Sequence, residues 1–146
     1  MAPIVESIDI ARPPEEVFAY IDDLSRHGEW QEQIQQVTVL TDGPTKVGSR
    51  ARDRRKVPGG EQEITYEITA HDPPRSASFR GVDGPVRPLG TVQVEPSGGG
   101  SRVTIELDFQ GHGLGGKVLL PLVRSQARKQ VPRDQQKLKE RLEAGA

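Results

Sequence analysis

The sequence contains no cysteine and few aromatic residues, and both shortages limit the chemistry open to it. Without cysteine the chain has no disulfide, thiolate metal site or cysteine nucleophile. Aromatic residues make up 4% of the chain, and none lies within its two basic runs, residues 50–56 and 124–141. Because single-stranded nucleic acids bind basic grooves that also carry stacking aromatics, we expect no nucleic-acid partner and interpret both runs as solvated faces.

The sequence also lacks a charge imbalance and any long apolar run. Its 20 basic and 21 acidic residues give a formal net charge of −1, so an anionic surface is not predicted as the main partner. The longest apolar run, residues 118–123, contains Pro121 and is far shorter than the ~20 residues that cross a bilayer. The first ten residues lack the basic start and apolar core of a signal peptide. We therefore expect a cytoplasmic protein without integral membrane contact.

No catalytic or cofactor motif stands out. The three histidines, His27, His71 and His112, share no metal-type spacing with one another or with a carboxylate, so no metal site is predicted. The G-x-S-x-G motif of serine hydrolases is missing. The glycine-rich segments 98–100 and 111–116 are not followed by the Lys-Ser/Thr of a phosphate-binding loop, and we interpret both as loops. No cofactor is expected.

Length and pattern predict one domain, residues 1–146, that starts with a strand and two short helices. Alternating isoleucines predict the strand over residues 4–11. Pro13-Pro14 suits the first turn of a helix, where a missing N–H is tolerated. Asp22 or Asp23 is a candidate cap for the second short helix.

The rest of the chain predicts a β-meander followed by one long helix. Apolar and polar residues alternate in a series of segments separated by Gly, Pro and Asp turns, most clearly over residues 61–70 and 103–109. Residues 118–143 then carry an apolar stripe at helical spacing, over a length of ~39 Å. Pro132 predicts a kink or break within one turn before it, whereas Pro121 is tolerated near the helix start.

A twisted sheet with one apolar face and a long amphipathic helix are most simply combined if the sheet curls around the helix. The predicted fold class is therefore α+β. It consists of a curved antiparallel sheet of six to seven strands wrapped around a long C-terminal helix, with two short helices after the first strand.

Several short sequence segments, taken together and in order, resemble those of a known family. They are residues 10–18 where the first strand meets the helix, Trp30 after the second helix, and residues 42–48, 72–75 and 138–143. On these segments the chain resembles the helix-grip, START-like superfamily, and within it the polyketide cyclase/dehydrase and lipid-transport (SRPBCC) family, over nearly all of residues 3–143. These segments are typical of the fold of the family, and none contains a catalytic motif.

The resemblance implies a cavity between the concave sheet face and the last helix. It implies binding of a small hydrophobic, lipid- or polyketide-like molecule there, or, alternatively, aromatase/cyclase or dehydratase activity in the same cavity. A third hypothesis is a protein-interaction or regulatory module, and oligomeric state is left open. Either the cavity or a filled core explains the inward residues. The predicted ligand-binding residues are Trp30, Ala51, Ile64, Tyr66, Ile68, Phe79, Val92, Ile105, Leu107, Val123, Ala127 and Val131.

The strand predicted over residues 47–57 differs from the others because neither face is apolar. The phasing of the family places Ala51 inward, and Asp53 and Arg55 follow it inward or to the cavity rim. If both face the cavity, they should lie within salt-bridge reach of each other or of Tyr66, since an unpaired buried charge is very unfavourable. Asp53, Arg55 and Tyr66 are thus the candidates for acid–base chemistry. The alternative is an edge strand protected by its charges.

Overall fold

The structure is a computed structural model that describes residues 3–57 and 59–146. The first strand is followed by two short helices, then by six more strands and a long helix. The elements are β1 (Ile4–Ile10), α1 (Pro14–Asp22), a 3₁₀ helix (Leu24–Glu29), β2 (Ile34–Val39), β3 (Arg50–Val57), β4 (Gly60–Asp72), β5 (Ser76–Gly81), β6 (Val86–Ser97), β7 (Gly100–Gly111) and α2 (Gly113–Glu143).

The seven strands form one antiparallel sheet in the order β1-β7-β6-β5-β4-β3-β2. Strands β2 to β7 are neighbours in the order of the chain, as short turns dictate, and β1 closes the far side by pairing with β7. The sheet curves around α2. The predicted α+β fold class, with its strand number and two short helices, is confirmed.

One end of the molecule holds the tightest packing. Leu138 and Leu142 near the end of α2 are fully buried against Ile10 of β1 and Val103 of β7. Gln135 on the same helix donates a hydrogen bond of 2.9 Å to the carbonyl oxygen of Glu6. This end of α2 is therefore packed against the sheet.

Helix α2 is longer and more continuous than the sequence predicted. It begins at Gly113, inside the segment interpreted as a flexible loop. Near this start Gly116 packs directly on the carbonyl oxygen of Pro85, where any side chain would collide. The chain stays helical through Pro121 and Pro132. The predicted break before Pro132 is therefore wrong, and a kink there stays a prediction.

The basic strand β3 is an inner strand, paired with β2 on one side and β4 on the other. The alternative of a protected edge strand is thus wrong. On its outer face Arg50, Arg52 and Arg54 lie 3.4, 3.8 and 3.7 Å from the carboxylates of Glu67, Glu63 and Glu61 on β4. These cross-strand pairs account for the outward half of the basic run.

Two further findings concern sequence features discussed above. Arg124, assigned to a solvated face, is 3% exposed and forms an ion pair with Asp108 of β7. This pair ties the middle of α2 to the sheet. Within residues 3–57 and 59–146, no helix combines the length and apolar character required to cross a membrane.

Candidate functional site

A cavity of about 230 Å³ lies between the concave face of the sheet and the middle of α2. Its walls come from α1 and the 3₁₀ helix, from the inward side chains of β3 to β7, and from α2. Most of the lining is apolar, as in ligand pockets generally. On α2 the lining residues are Val123, Gln126, Ala127, Gln130, Val131 and Asp134. The sheet and the helix therefore leave a space between them where the helix passes over the middle of the sheet.

All predicted ligand-binding residues except Ala51 lie on the wall of this cavity. Strand alternation explains the agreement, because every second residue of a strand points to the same face. Ala51 also points inward and is fully buried, but it packs in a cluster with Leu24, Tyr66 and Ile68. It is not among the residues of the wall, and a role for Ala51 in ligand binding stays a prediction.

Asp53 and Arg55 of β3 both line the cavity. Asp53 is 3% exposed, and its Oδ2 lies 3.8 Å from Nη1 of Arg55. Nη2 of Arg55 donates a hydrogen bond of 2.9 Å to Oε1 of Gln31. Burial raises the pKa of Asp53 to about 6, and the charge of Arg55 opposes that rise. The carboxyl therefore titrates close to neutral pH, in the range that suits a general acid or base.

Tyr66 is connected to His27, a residue for which the sequence predicted no functional partner. Nε2 of His27 lies 2.7 Å from the carbonyl oxygen of Ile21, so this nitrogen carries the hydrogen. Nδ1 is then free to accept a hydrogen bond of 3.3 Å from the Tyr66 hydroxyl. Burial lowers the pKa of His27 to about 4 and raises the pKa of Tyr66 above its ordinary value. Both side chains are neutral at neutral pH.

We call His27, Gln31, Asp53, Arg55 and Tyr66 the polar cluster of the cavity. Asp134 of α2 lies beside it, with Oδ1 accepting hydrogen bonds from the backbone of Glu32 (3.1 Å) and from Gln130 (2.8 Å). Burial raises the pKa of Asp134. Sequence reasoning missed His27, Gln31, Gln130 and Asp134, since each meets the cavity only through contacts between distant segments.

Two buried polar atoms on this wall lack a partner. Nε1 of Trp30 and Oδ1 of Asp53 make no hydrogen bond with any of the residues that the structure describes. Among those same residues, no group of three or more histidine and carboxylate side chains is placed to hold a metal ion.

Comparison with known proteins gives one family match and several structural ones. The model of the family described as polyketide cyclase / dehydrase and lipid transport matches residues 1–143. A search of curated proteins finds no significant match. Among solved structures, a protein of Thermus thermophilus superposes with a TM-score of 0.82 at 23% identity, covering 99% of both chains.

Two other solved structures share the fold at lower identity. A START superfamily protein from Mycobacterium smegmatis gives a TM-score of 0.81 at 14% identity, over 100% of both chains. The Zhui aromatase/cyclase from a Streptomyces species gives 0.78 at 14% identity, over 97% of this chain and 93% of the other. At such identities the likeness establishes the fold, and function requires a separate argument.

Proposed function

Because this chain belongs to the polyketide cyclase/dehydrase and lipid transport family, we propose that it binds a small, mostly apolar molecule in the cavity under α2. One observation carries the proposal: the space between the sheet and α2 is lined mostly by apolar side chains, and part of its wall carries the polar cluster. A cavity of ~150 Å³ lined by apolar side chains is large enough for benzene. The cavity here, about 230 Å³, suits a molecule of about two fused rings.

Filling the cavity from α2 tests this proposal. Ala127 lies on the wall, and Ala127→Trp places a large ring in the space without adding a charge. We expect the variant to fold and to bind a neutral dye of the naphthalene type about tenfold or more weakly than the parent. The measurement is a fluorescence titration, with a thermal melt to confirm folding.

The matched control is Ser125→Trp, which adds the same ring at an exposed position of the same helix. Its dye affinity should equal that of the parent. Equal dye affinity in Ala127→Trp and the parent would show that the dye binds elsewhere, and the proposal would then be wrong.

A second candidate function, cyclase or dehydratase chemistry on a polyketide-like substrate, has one specific observation in its favour. Asp53 is a buried carboxyl whose pKa is raised to about 6, and it lies beside a cation on the cavity wall. Such a group accepts a proton from an activated carbon at neutral pH, and Arg55 stabilises the resulting enolate oxygen. The test is turnover of a linear poly-β-ketone thioester, followed by aromatic absorbance. The activity should disappear in Asp53→Asn.

A further inference from the structure

The carboxyl of Asp53 lacks what a buried carboxyl normally has, a hydrogen-bond donor. Its Oδ1 is buried without a partner among the described residues. Its Oδ2 lies 3.8 Å from Arg55, which is too long for a hydrogen bond. Buried carboxylates are unfavourable unless donors satisfy them. Asp53 lines the cavity, so its carboxyl is an acceptor next to any molecule that binds there.

The other acidic side chains on the wall each have at least one hydrogen-bond partner. Both carboxylate oxygens of Asp22 lie 2.9 Å from Nε2 of His71. Asp134 accepts two hydrogen bonds through Oδ1, from the backbone of Glu32 and from Gln130. Asp53 differs from both, because neither of its oxygens accepts a hydrogen bond from the described residues.

The charges around Asp53 determine which donor fits. The wall carries the carboxyls of Asp22, Asp53 and Asp134 but a single guanidinium, that of Arg55. A ligand carboxylate next to Asp53 would meet like charge. A ligand ammonium in the same place would lie next to the guanidinium of Arg55, which is itself 3.8 Å from the Asp53 carboxylate. The carboxylate meets only repulsion from Asp53. For the ammonium, the repulsion of Arg55 and the free-energy cost of removing a charge from water both oppose the attraction of Asp53. An uncharged donor avoids both.

We propose that the ligand of this cavity is an uncharged apolar molecule with a hydroxyl group, and that this hydroxyl donates a hydrogen bond to the carboxylate of Asp53. Fatty-acid anions are then poor ligands. This inference rests on the proposed function, because it presupposes that the cavity binds an apolar molecule. It adds the position and the chemical class of the polar group.

A matched set of two-ring probes tests the inference by competition with the neutral dye at neutral pH. Naphthol donates a hydrogen bond, methoxynaphthalene does not, and naphthoate carries a negative charge. Hydrogen bonds to charged groups are among the stronger ones, so naphthol should bind about tenfold or more tightly than naphthalene. Methoxynaphthalene should gain nothing over naphthalene, and naphthoate should bind more weakly than either.

Asp53→Leu removes the acceptor while keeping a branched side chain of similar shape. In this variant naphthol should lose its advantage, whereas naphthalene should bind as in the parent. Asp53→Asn is the second variant, in case leucine impairs folding, and it should reduce the naphthol advantage because the acceptor is no longer charged. The control is Asp9→Leu, whose carboxylate is paired with Arg102 at 3.0 Å outside the cavity wall. It should leave every ratio unchanged.

The possible results separate the two proposals. Equal binding of naphthol and naphthalene by the parent would overturn the inference and leave the proposed function intact. Tighter binding of naphthoate, or a naphthol advantage that survives in both Asp53 variants, would also overturn the inference. If neither the dye nor naphthalene binds the parent, the proposed function fails and the inference fails with it.

Discussion

The stability of Asp53→Asn relative to the parent should be greater at neutral pH than at acid pH. The folded state raises the pKa of this carboxyl from 3.8 to about 6. The folded protein therefore holds a proton that the unfolded chain has released between these two pH values. For a raised pKa, the stabilisation is complete below about pH 4 and is lost as the pH rises through about 6. Asparagine does not titrate, so this loss is absent in the variant.

The magnitude follows from the size of the pKa change. A rise from 3.8 to about 6 corresponds to roughly 3 kcal/mol, at about 1.4 kcal/mol for each pH unit. Asp53 is 3% exposed, so solvent screening reduces this figure little. The free energy of unfolding of Asp53→Asn minus that of the parent should increase by up to about 3 kcal/mol from pH 4 to pH 8.

Urea denaturation of both proteins at a series of pH values measures this difference directly. Asp9→Asn is the control with the opposite sign, because the hydrogen bond from Arg102 lowers the pKa of Asp9. Its stability relative to the parent should fall slightly as the pH rises. A difference between Asp53→Asn and the parent that is constant or falls over the range would refute the proposed burial of the charge.

Three further predictions concern stability. Burial lowers the pKa of His27 from 6.5 to about 4. As the pH falls through that range, the free energy of unfolding of the parent should therefore decrease by roughly 3 kcal/mol through this group. Urea denaturation of His27→Gln should show no such decrease. Leu138→Ala should lower the free energy of unfolding by about 2–5 kcal/mol, because the side chain is fully buried, whereas Leu114→Ala at a largely exposed position should change it by less than about 0.5 kcal/mol. In thermal melts Gly116→Ala should be destabilised, because its Cβ would collide with the backbone carbonyl of Pro85. Gly115→Ala has open space around the new Cβ and should gain up to about 1 kcal/mol of stability. Equal melting temperatures for the two variants would contradict the packing described for the start of α2.

The sequence was sufficient to predict the strands and most of the cavity wall, because these depend on local pattern. Ile64, Tyr66 and Ile68 alternate with polar residues, and the period of a strand then places them on one face. The phasing of the family placed Asp53 and Arg55 inward or at the cavity rim, and in the structure they lie within ion-pair distance of each other. Their role in binding or catalysis stays a prediction.

Features that depend on contacts between distant segments could not be predicted in this way. The bond from Tyr66 to His27 joins residues 39 positions apart, and no periodicity indicates it. Arg124 lies in a basic stretch that resembles a solvated helix face, yet its own side chain is buried and forms an ion pair with Asp108 of β7. The glycines from Gly113 to Gly116 have low helix propensity, which suggested a loop. Tertiary packing at Gly116 outweighs that propensity.

The central claim is that an apolar molecule binds between the sheet and the middle of α2. Methyl NMR with naphthalene as the probe tests it most directly, because exposed apolar side chains provide an internal comparison. We expect shifts at Ile105, Leu107 and Val131 on the cavity wall, and none at Leu114 and Val118, which are 82% and 69% exposed. Shifts confined to Leu114 and Val118, or no shifts at saturating naphthalene, would contradict the account.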